Sequence, residues 1–398
     1  MSAYEYDVVV VGGGVSGITA ALTLAEKGLK VALISKGDPV CCLSTGCVDV
    51  MTGEGDPWQK IGELPAGHPY VKAGDDALRD GLVFFLRIME EQGLPYVGSL
   101  TENRPIITPI GTVKHTCLVP VTMAASDLAK SERLHVVSFK GIKDFYPSYL
   151  TNGISRSSFS VFDAGISTTL GIASRFEDEG FLGRFISWLQ DTENPHDRIA
   201  VPAVLGLRDP VKVMEKISKA MGRPVFEIPT LPPSIPGLRL FRALKGALQA
   251  KGGHLYWGKG VSSIERQGSE IEAVTLATAG RAARVQGRAF ILATGSFVSG
   301  GLYAGRDAVR ETVFGLPVFV PGERREWFHA QFFTPGHAIE KAGIVVDDCF
   351  RPAGGKLKNL YVCGSILAES EVMKNQCGHG LAIATGVAAA RMCARGLA

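Results

Sequence analysis

The chain lacks any C-x-x-C pair among its eight cysteines, and it has neither the C-x2-C-x2-C run of ferredoxins nor a zinc-binding spacing. A metal or iron-sulfur site is therefore not expected. No secretory leader pattern is read at the start, so disulfides are not expected either. Cys41, Cys42 and Cys47 are expected to be small buried residues of one loop. No stretch reaches the ~18 apolar residues of a membrane-spanning helix. Neither sign of charge dominates: 42 Lys+Arg against 39 Asp+Glu give a net charge of +3. Without a basic excess or an arginine-rich helix, nucleic acid and anionic membrane surfaces are excluded as main partners. No internal repeat or low-complexity segment appears. What remains is a globular composition, 46% hydrophobic over 398 residues, enough for two or three domains at ~150 residues each. A cytoplasmic location is expected.

The most informative feature lies at the start. Tyr6 to Val11 is an apolar run, Gly12-Gly13-Gly14-Val15-Ser16-Gly17 follows directly, and Ile18 to Lys27 has the pattern of a helix ending at Gly28. A second apolar run spans Val31 to Ile34. Strand, G-x-G-x-x-G, helix, strand is the fingerprint of a dinucleotide-binding unit. Gly12 permits the tight turn, Gly14 lets the backbone approach a phosphate, and Gly17 lets helix and strand pack closely. The helix N-terminus offers free N–H groups and positive potential to the phosphate.

The expected fold class is α/β: a discontinuous Rossmann-like FAD/NAD(P)-binding domain with an inserted α/β second domain. Residues 1–60, 235–300 and 340–398 are assigned to the first, 61–234 to the second, and 301–339 to an irregular cap or interface segment. The polar cluster Thr52 to Pro57 marks the exit to the second lobe. Ala77 to Gln92 has helical periodicity. Leu134–Phe139, Phe159–Asp163, Ile199–Val204 and Pro224–Ile228 read as strands, with a helix over Asp209–Met221, a parallel-sheet pattern. The proline-rich Leu231 to Gly237 returns the chain to the first lobe, and a helix follows over Leu238–Lys251. His254–Trp257, Val261–Arg266, Ile271–Thr278 and Arg284–Val285 read as short antiparallel strands. Arg288–Ala293 and Leu360–Cys363 read as buried strands, and Gly380–Arg395 as the last helix.

Three pieces distant in sequence are expected to meet at one flavin, as in flavoproteins of the glutathione-reductase and succinate-dehydrogenase type. The first is the glycine motif. The second is a strand ending in Ala293-Thr294-Gly295. The third is a strand ending in Gly364-Ser365, followed by Gly378-His379-Gly380 and a helix whose N-terminus can stabilise an anionic reduced ring. Ser44-Thr45-Gly46 is the loop expected beside the isoalloxazine. With no histidine there, the flavin is expected to be non-covalent. Two acids are missing. The second strand ends in Ser35-Lys36 rather than an acid for the adenosine ribose, and Gly364-Ser365 stands where Gly-Asp is usual. Both departures leave FMN open beside FAD.

Ser44 to Asp49, His68-Pro69-Tyr70, Thr108 to Thr112, Thr230 to Leu240, Ala293 to Leu302, Arg310-Glu311 with Gly315-Leu316, and Leu360 to Ser365 together resemble the B-subunit family of anaerobic glycerol-3-phosphate dehydrogenase. The resemblance runs over most of the chain. It implies oxidation of sn-glycerol 3-phosphate to dihydroxyacetone phosphate with electrons passed to quinone, and a flavin that in this family is FMN. It also implies two partners. One is an A-type catalytic subunit. The other is a C-type iron-sulfur subunit, which anchors the assembly at the inner face of the cell membrane, with no span in this chain.

Such a reaction needs a base for the hydroxyl proton and cations for the phosphate, for which arginine's planar fork is suited. Arg239, Arg310 and Arg351 are the candidate cations, and His68 the candidate base. Two readings stay open: a substrate site on this chain, or a flavin-bearing electron relay that docks its partners. The third reading is a stand-alone fumarate-reductase-like flavoprotein. The Trp327-Phe328 and Phe332-Phe333 stretch is a candidate partner surface.

Overall fold

The apolar runs assemble into two parallel sheets, each with its own core. They are described here from a computed structural model covering residues 5–51, 53–126, 132–192, 196–277, 282–331, 333–334, 336–354 and 356–398. Thr52, Thr278 and Phe332 therefore lie outside the described residues.

The first sheet carries five parallel strands in the order His254–Trp257, Val31–Ser35, Tyr6–Val11, Ala283–Leu292 and Leu360–Val362. The central Tyr6–Val11 strand is flanked on both sides by partners, and Val8, Val9 and Val10 have no exposed surface. This is why it reads as a continuous apolar run rather than an alternating one. Two expectations are corrected here. His254–Trp257 is a parallel edge strand, not part of an antiparallel group. Arg284–Val285 and Arg288–Ala293 are one long strand, whose first half pairs antiparallel with Glu270–Leu276 and whose second half joins the parallel sheet.

Helices Val15–Ala25, Asp75–Glu91, Ile235–Ala250 and Gly378–Leu397 belong to this layer. Small residues let them approach. A Cβ on Gly386 would lie 2.7 Å from the Ser16 carbonyl oxygen, and one on Gly81 2.9 Å from Ile383. Ser234, not Leu238, starts the third of these helices, its hydroxyl accepting the Gly237 amide at 3.1 Å.

The second sheet has four parallel strands in the order Val225–Ile228, Arg198–Pro202, Leu134–Phe139 and Ser157–Phe162. Phe139, Phe162, Phe176, Phe181 and Phe185 fill its core with edge-on and stacked rings. The domain boundary moves relative to the sequence reading. Ile61, Tyr70, Leu78, Phe85, Met89 and Tyr96 pack into the first core, and the second core begins near Ile107 and runs through Ile235. Residues 301–339 are not a separate cap either: Leu302, Val309, Phe314, Leu316, Trp327 and Ile339 join the first core.

The two layers are tied by one buried ion pair. Arg239, on the Ile235–Ala250 helix, holds Glu227 of the second sheet through two bonds of 2.6 and 2.9 Å, and its Nε donates to the Gly206 carbonyl. Glu227 also accepts the Leu205 amide. Side-chain exposure is 3% and 0%, so neither charge has water to fall back on. Replacing Arg239 with Met leaves Glu227 buried and unpaired, and should cost about 3–5 kcal/mol. The expected result is a clearly lower urea midpoint for Arg239→Met; an unchanged midpoint would mean that the pair does not couple the layers.

Candidate functional site

Three backbone turns converge at the C-terminal ends of the first sheet's strands, the usual ligand position in such sheets. At Gly12 φ is +124°, and a Cβ would lie 2.2 Å from the Ala293 carbonyl oxygen. A Cβ on Gly17 would lie 1.9 Å from the Gly12 oxygen. Both positions are closed to any side chain. Gly14 differs: nothing lies within 4 Å of its Cβ position, and it is the N-cap of the first helix, which no side chain caps. Open space over an uncapped helix N-terminus suits a phosphate.

The second turn, Thr294-Gly295, lies against the third. Gly295 has φ +74°, with the Ser365 hydroxyl 3.4 Å from its Cβ position. Thr294 Oγ1 is buried without a partner. The third turn rests on the first helix, since Gly364 would press a Cβ on the Ser16 side chain. The Gly364 amide donates to Thr385 of the C-terminal helix at 2.9 Å. Ser16 and Thr385 thus join the turns, a role that nothing in their spacing announced.

A fourth segment, Ser44 to Val50, runs to the start of the C-terminal helix. Gly46, with φ +78°, is pressed on Pro236, and Tyr96 donates to its carbonyl at 2.6 Å. Cys41 and Cys47 are buried and Cys42 half-buried, as expected of loop packing. The Gly380 amide donates to the Asp49 carbonyl, His379 Nδ1 meets the Cys47 carbonyl at 2.8 Å, and Tyr70 donates to the Val50 carbonyl. Gly378 opens the helix, which again has no side-chain cap. Asp49 pairs with Lys114 at 2.7 Å, yet its Oδ1 is buried and unpartnered. That pairing links one of the family-like strings to a strand outside them and could not be seen from either alone.

The adenosine end of the groove is different. Ser35 sits where an acid would hold a ribose, but its hydroxyl donates to the Gly37 carbonyl and it is 5% exposed. The Trp257 ring stands beside it. A Cβ on Gly13 would lie 2.5 Å from Ser35 Oγ and 3.0 Å from that indole. Phe241 and Lys245 brace the indole from the neighbouring helix. Lys36 is exposed, near Gly260.

The candidate cations and base are not brought together. Arg239 is held by Glu227, as above. Arg351 lies over Tyr361, its Nη2 donating to that hydroxyl, and stands 3.5 Å from the Cβ position of Gly396. Gly396 is about 24 Å along the helix axis from Gly380 at 1.5 Å per residue, so Arg351 belongs to the far end and is corrected as a site residue. Arg310 is exposed on a hairpin, stacked over Tyr303. The adjacent Glu311 is buried and accepts the amides of Val313, Phe314 and Leu316, which explains that string as a loop anchor. His68 is 1% exposed and caps the short helix Pro69–Ala73, its Nδ1 accepting the Tyr70 amide at 3.2 Å. Burial holds its pKa down at about 4. Its Nε2 is buried without a hydrogen-bond partner.

The convergent turns fit a flavin. Gly14 leaves open space at an uncapped helix end for its phosphate, and Thr294-Gly295, Gly364-Ser365, Ser44 to Gly46 and the Gly378–Gly380 helix start are backbone turns that can line the rest. Residues 7–381 match the FAD binding domain family. The chain is 31% identical to the B subunit of anaerobic glycerol-3-phosphate dehydrogenase from Vibrio vulnificus, over 97% of this chain and 95% of that one. It is likewise 31% identical to a probable B subunit of the same enzyme from Halobacterium salinarum, over 97% of each. Among solved structures, an E. coli quinol fumarate reductase chain aligns with a TM-score of 0.47 and 10% identity, over 98% of this chain and 70% of that one.

Two outcomes follow from this geometry. Gly14→Ala should fold normally and lose most of its flavin, whereas Gly17→Ala should fail to fold stably; equal flavin content in Gly14→Ala and the parent would remove Gly14 from the site. The second concerns acid. His68 and His135 are both held near a pKa of about 4, chiefly by burial, against about 6.5 in the unfolded chain. Between these values the unfolded state binds more protons, so stability is full above pH 6.5 and falls as pH drops toward 4. The melting temperature should decline already from pH 6.5 to 5, and a His68→Gln/His135→Gln variant should show a flatter profile over that range.

Proposed function

From the premise that this chain belongs to the B-subunit family of anaerobic glycerol-3-phosphate dehydrogenase, we propose that it is the flavin-bearing relay of a glycerol-3-phosphate:quinone oxidoreductase. The observation that carries the reading is the meeting of Gly12–Gly17, Thr294-Gly295 and Gly364-Ser365 at one place, beside the uncapped start of the C-terminal helix. A bound flavin supplies a two-electron acceptor there. The chain's own residues hold and orient it. The first helix's free amides take the phosphate, and the Gly378–Gly380 end favours negative charge on the ring.

FMN suits this site better than FAD. The second strand ends in Ser35 rather than in an acid for an adenosine ribose, the Ser35 hydroxyl donates to the Gly37 carbonyl, and the braced Trp257 indole stands beside it. The relay reading rests on the dispersal of Arg239, Arg310, Arg351 and His68. Oxidation of sn-glycerol 3-phosphate is then assigned to the catalytic partner, and electron passage to the iron-sulfur partner. Peripheral attachment at the cytoplasmic face of the membrane is assigned to that iron-sulfur partner too. The alternative, a substrate site on this chain, is favoured by one observation: Asp49 Oδ1 is the only buried carboxylate oxygen without a partner among the described residues. A carboxylate there is placed to take a hydroxyl proton.

One preparation tests both points. Acid release from the purified chain should yield FMN by mass, and Trp257→Ala should begin to retain FAD. Under anaerobic sn-glycerol 3-phosphate the flavin absorbance should persist in the chain alone and bleach once the catalytic partner is added. Bleaching by the chain alone, abolished in Asp49→Asn, would move the substrate site here. Absence of any flavin in the folded chain would overturn the reading entirely.

A further inference from the structure

We propose that the face carrying Lys36, Arg242, Lys245 and Lys259 docks an acidic surface of another subunit, on the outer side of the loop that leads to the flavin ring. That such a subunit exists and exchanges electrons with this chain rests on the relay reading above; the placement of the face does not. Three segments build it: residues 35–46, the Ile235–Ala250 helix, and residues 254–264. Trp257 pairs with Ser35 across the sheet, its ring packs on Phe241 of the helix, and the Cys41 and Ser44 carbonyls close over Gly237.

The three segments hold a single acid, Asp38. Their cations lie close together. The Lys245 ammonium stands 4.6 Å from the centre of the Trp257 ring. The Lys259 amide donates to the Ser35 carbonyl, and the Lys36 side chain lies 3.9 Å from the Cβ position of Gly260. Arg242 is one helix turn before Lys245, on the same face; its charge reaches the Cys42 thiol, as does that of Asp38. None of the four cations has an ion-pair partner among the described residues, whereas Lys251, just past the helix, pairs with Glu26, Lys140 with Asp163 and Arg391 with Asp80. The whole chain carries only +3, so an excess of this size on one face is not a property of the surface at large.

The charges themselves indicate the occupant. Unmatched like charges repel one another, and an opposing acidic surface relieves that repulsion. A second copy presenting the same face would add to it. A nucleotide has no free ring to stack on, because Lys245 and Phe241 already cover the indole. Val40 and Leu43, in the first segment, are 41% and 54% exposed, and apolar residues framed by charged ones are the make-up of a protein–protein contact. Val40–Leu43 is a single turn that runs directly into Ser44-Thr45-Gly46. A subunit seated on it bears on the segment beside the ring.

Association of the purified full chain with the catalytic partner and with the iron-sulfur partner is measured separately, at low and at raised ionic strength. One of them should bind, at a rate that falls as salt rises. Arg242→Glu/Lys259→Glu should slow that association about tenfold or more, with flavin content and urea midpoint unchanged, and each single reversal should give part of the effect. Lys212→Glu, exposed on a helix of the second layer, should not. Equal rates for the parent and the double variant would overturn the proposal. So would binding to neither partner, or tighter binding to phosphatidylglycerol vesicles than to either partner. The two readings fail separately. A reversal that slows association in a chain without flavin keeps this face and removes the relay. A partner that bleaches the double variant at the parent rate keeps the relay and removes this face.

Discussion

A contact between two stretches of bare backbone governs the first layer. Gly12 meets Ala293, and Gly17 meets Gly12, at distances no side chain can share. The contact brings the first helix down onto the strand ends, fixes where Thr294-Gly295 turns, and leaves Ser16 against Gly364. Each later turn is positioned by an earlier one. The ligand side of the groove is open only because Gly14, between two closed glycines, has nothing above it. Tight packing and an open cradle alternate within six residues, and that alternation distinguishes a binding loop from an ordinary tight turn.

The second layer is held by a different kind of interaction. Its sheet inserts between Ser44 to Val50 and the Ile235–Ala250 helix in the chain order, and both return paths touch that helix. Gly237 is closed by the carbonyls of Cys41 and Ser44, while Arg239, two residues on, reaches Glu227 and Gly206. One helix turn thus registers the ring-side loop and the inserted sheet together. A buried ion pair of this kind contributes orientation more than net stability, because two desolvated charges tolerate few alternative geometries.

Much of the first sheet was legible in the sequence, for a physical reason. Strands buried on both faces are written as unbroken Val, Leu and Ile runs, and the glycines between them mark positions with no alternative residue. The inserted sheet was legible in the same way. The boundary between the layers was not, because the amphipathic pattern of helix Asp75–Glu91 announces a buried face without saying which core it joins. The candidate site was read best where backbone carries it and worst where side chains do. Arg239 and Arg351 have the residue type for a phosphate, but type says nothing of the partner already present, Glu227 in one case and Tyr361 in the other. His68 has the residue type of a base, but type does not show that its ring caps the short helix Pro69–Ala73. Asp49 with Lys114, and Trp257 over Ser35, are meetings across long sequence separations that no local pattern encodes.

The order in which the turns occur along the chain has a consequence for assembly. Gly14, Gly295 and Gly364 are supplied by early, late and very late segments, and the helix end at Gly378 comes later still. During synthesis the glycine loop exists long before anything faces it. A flavin captured by that loop alone has little to hold its ring, so cofactor uptake is a late event that follows closure of the sheet by Leu360–Val362. Binding then stabilises only the completed arrangement, by an amount set by flavin concentration over its dissociation constant. Without flavin the closed arrangement lacks this stabilisation, so the late-made Gly364 turn and Gly378 helix end are the parts whose order depends most on the bound cofactor.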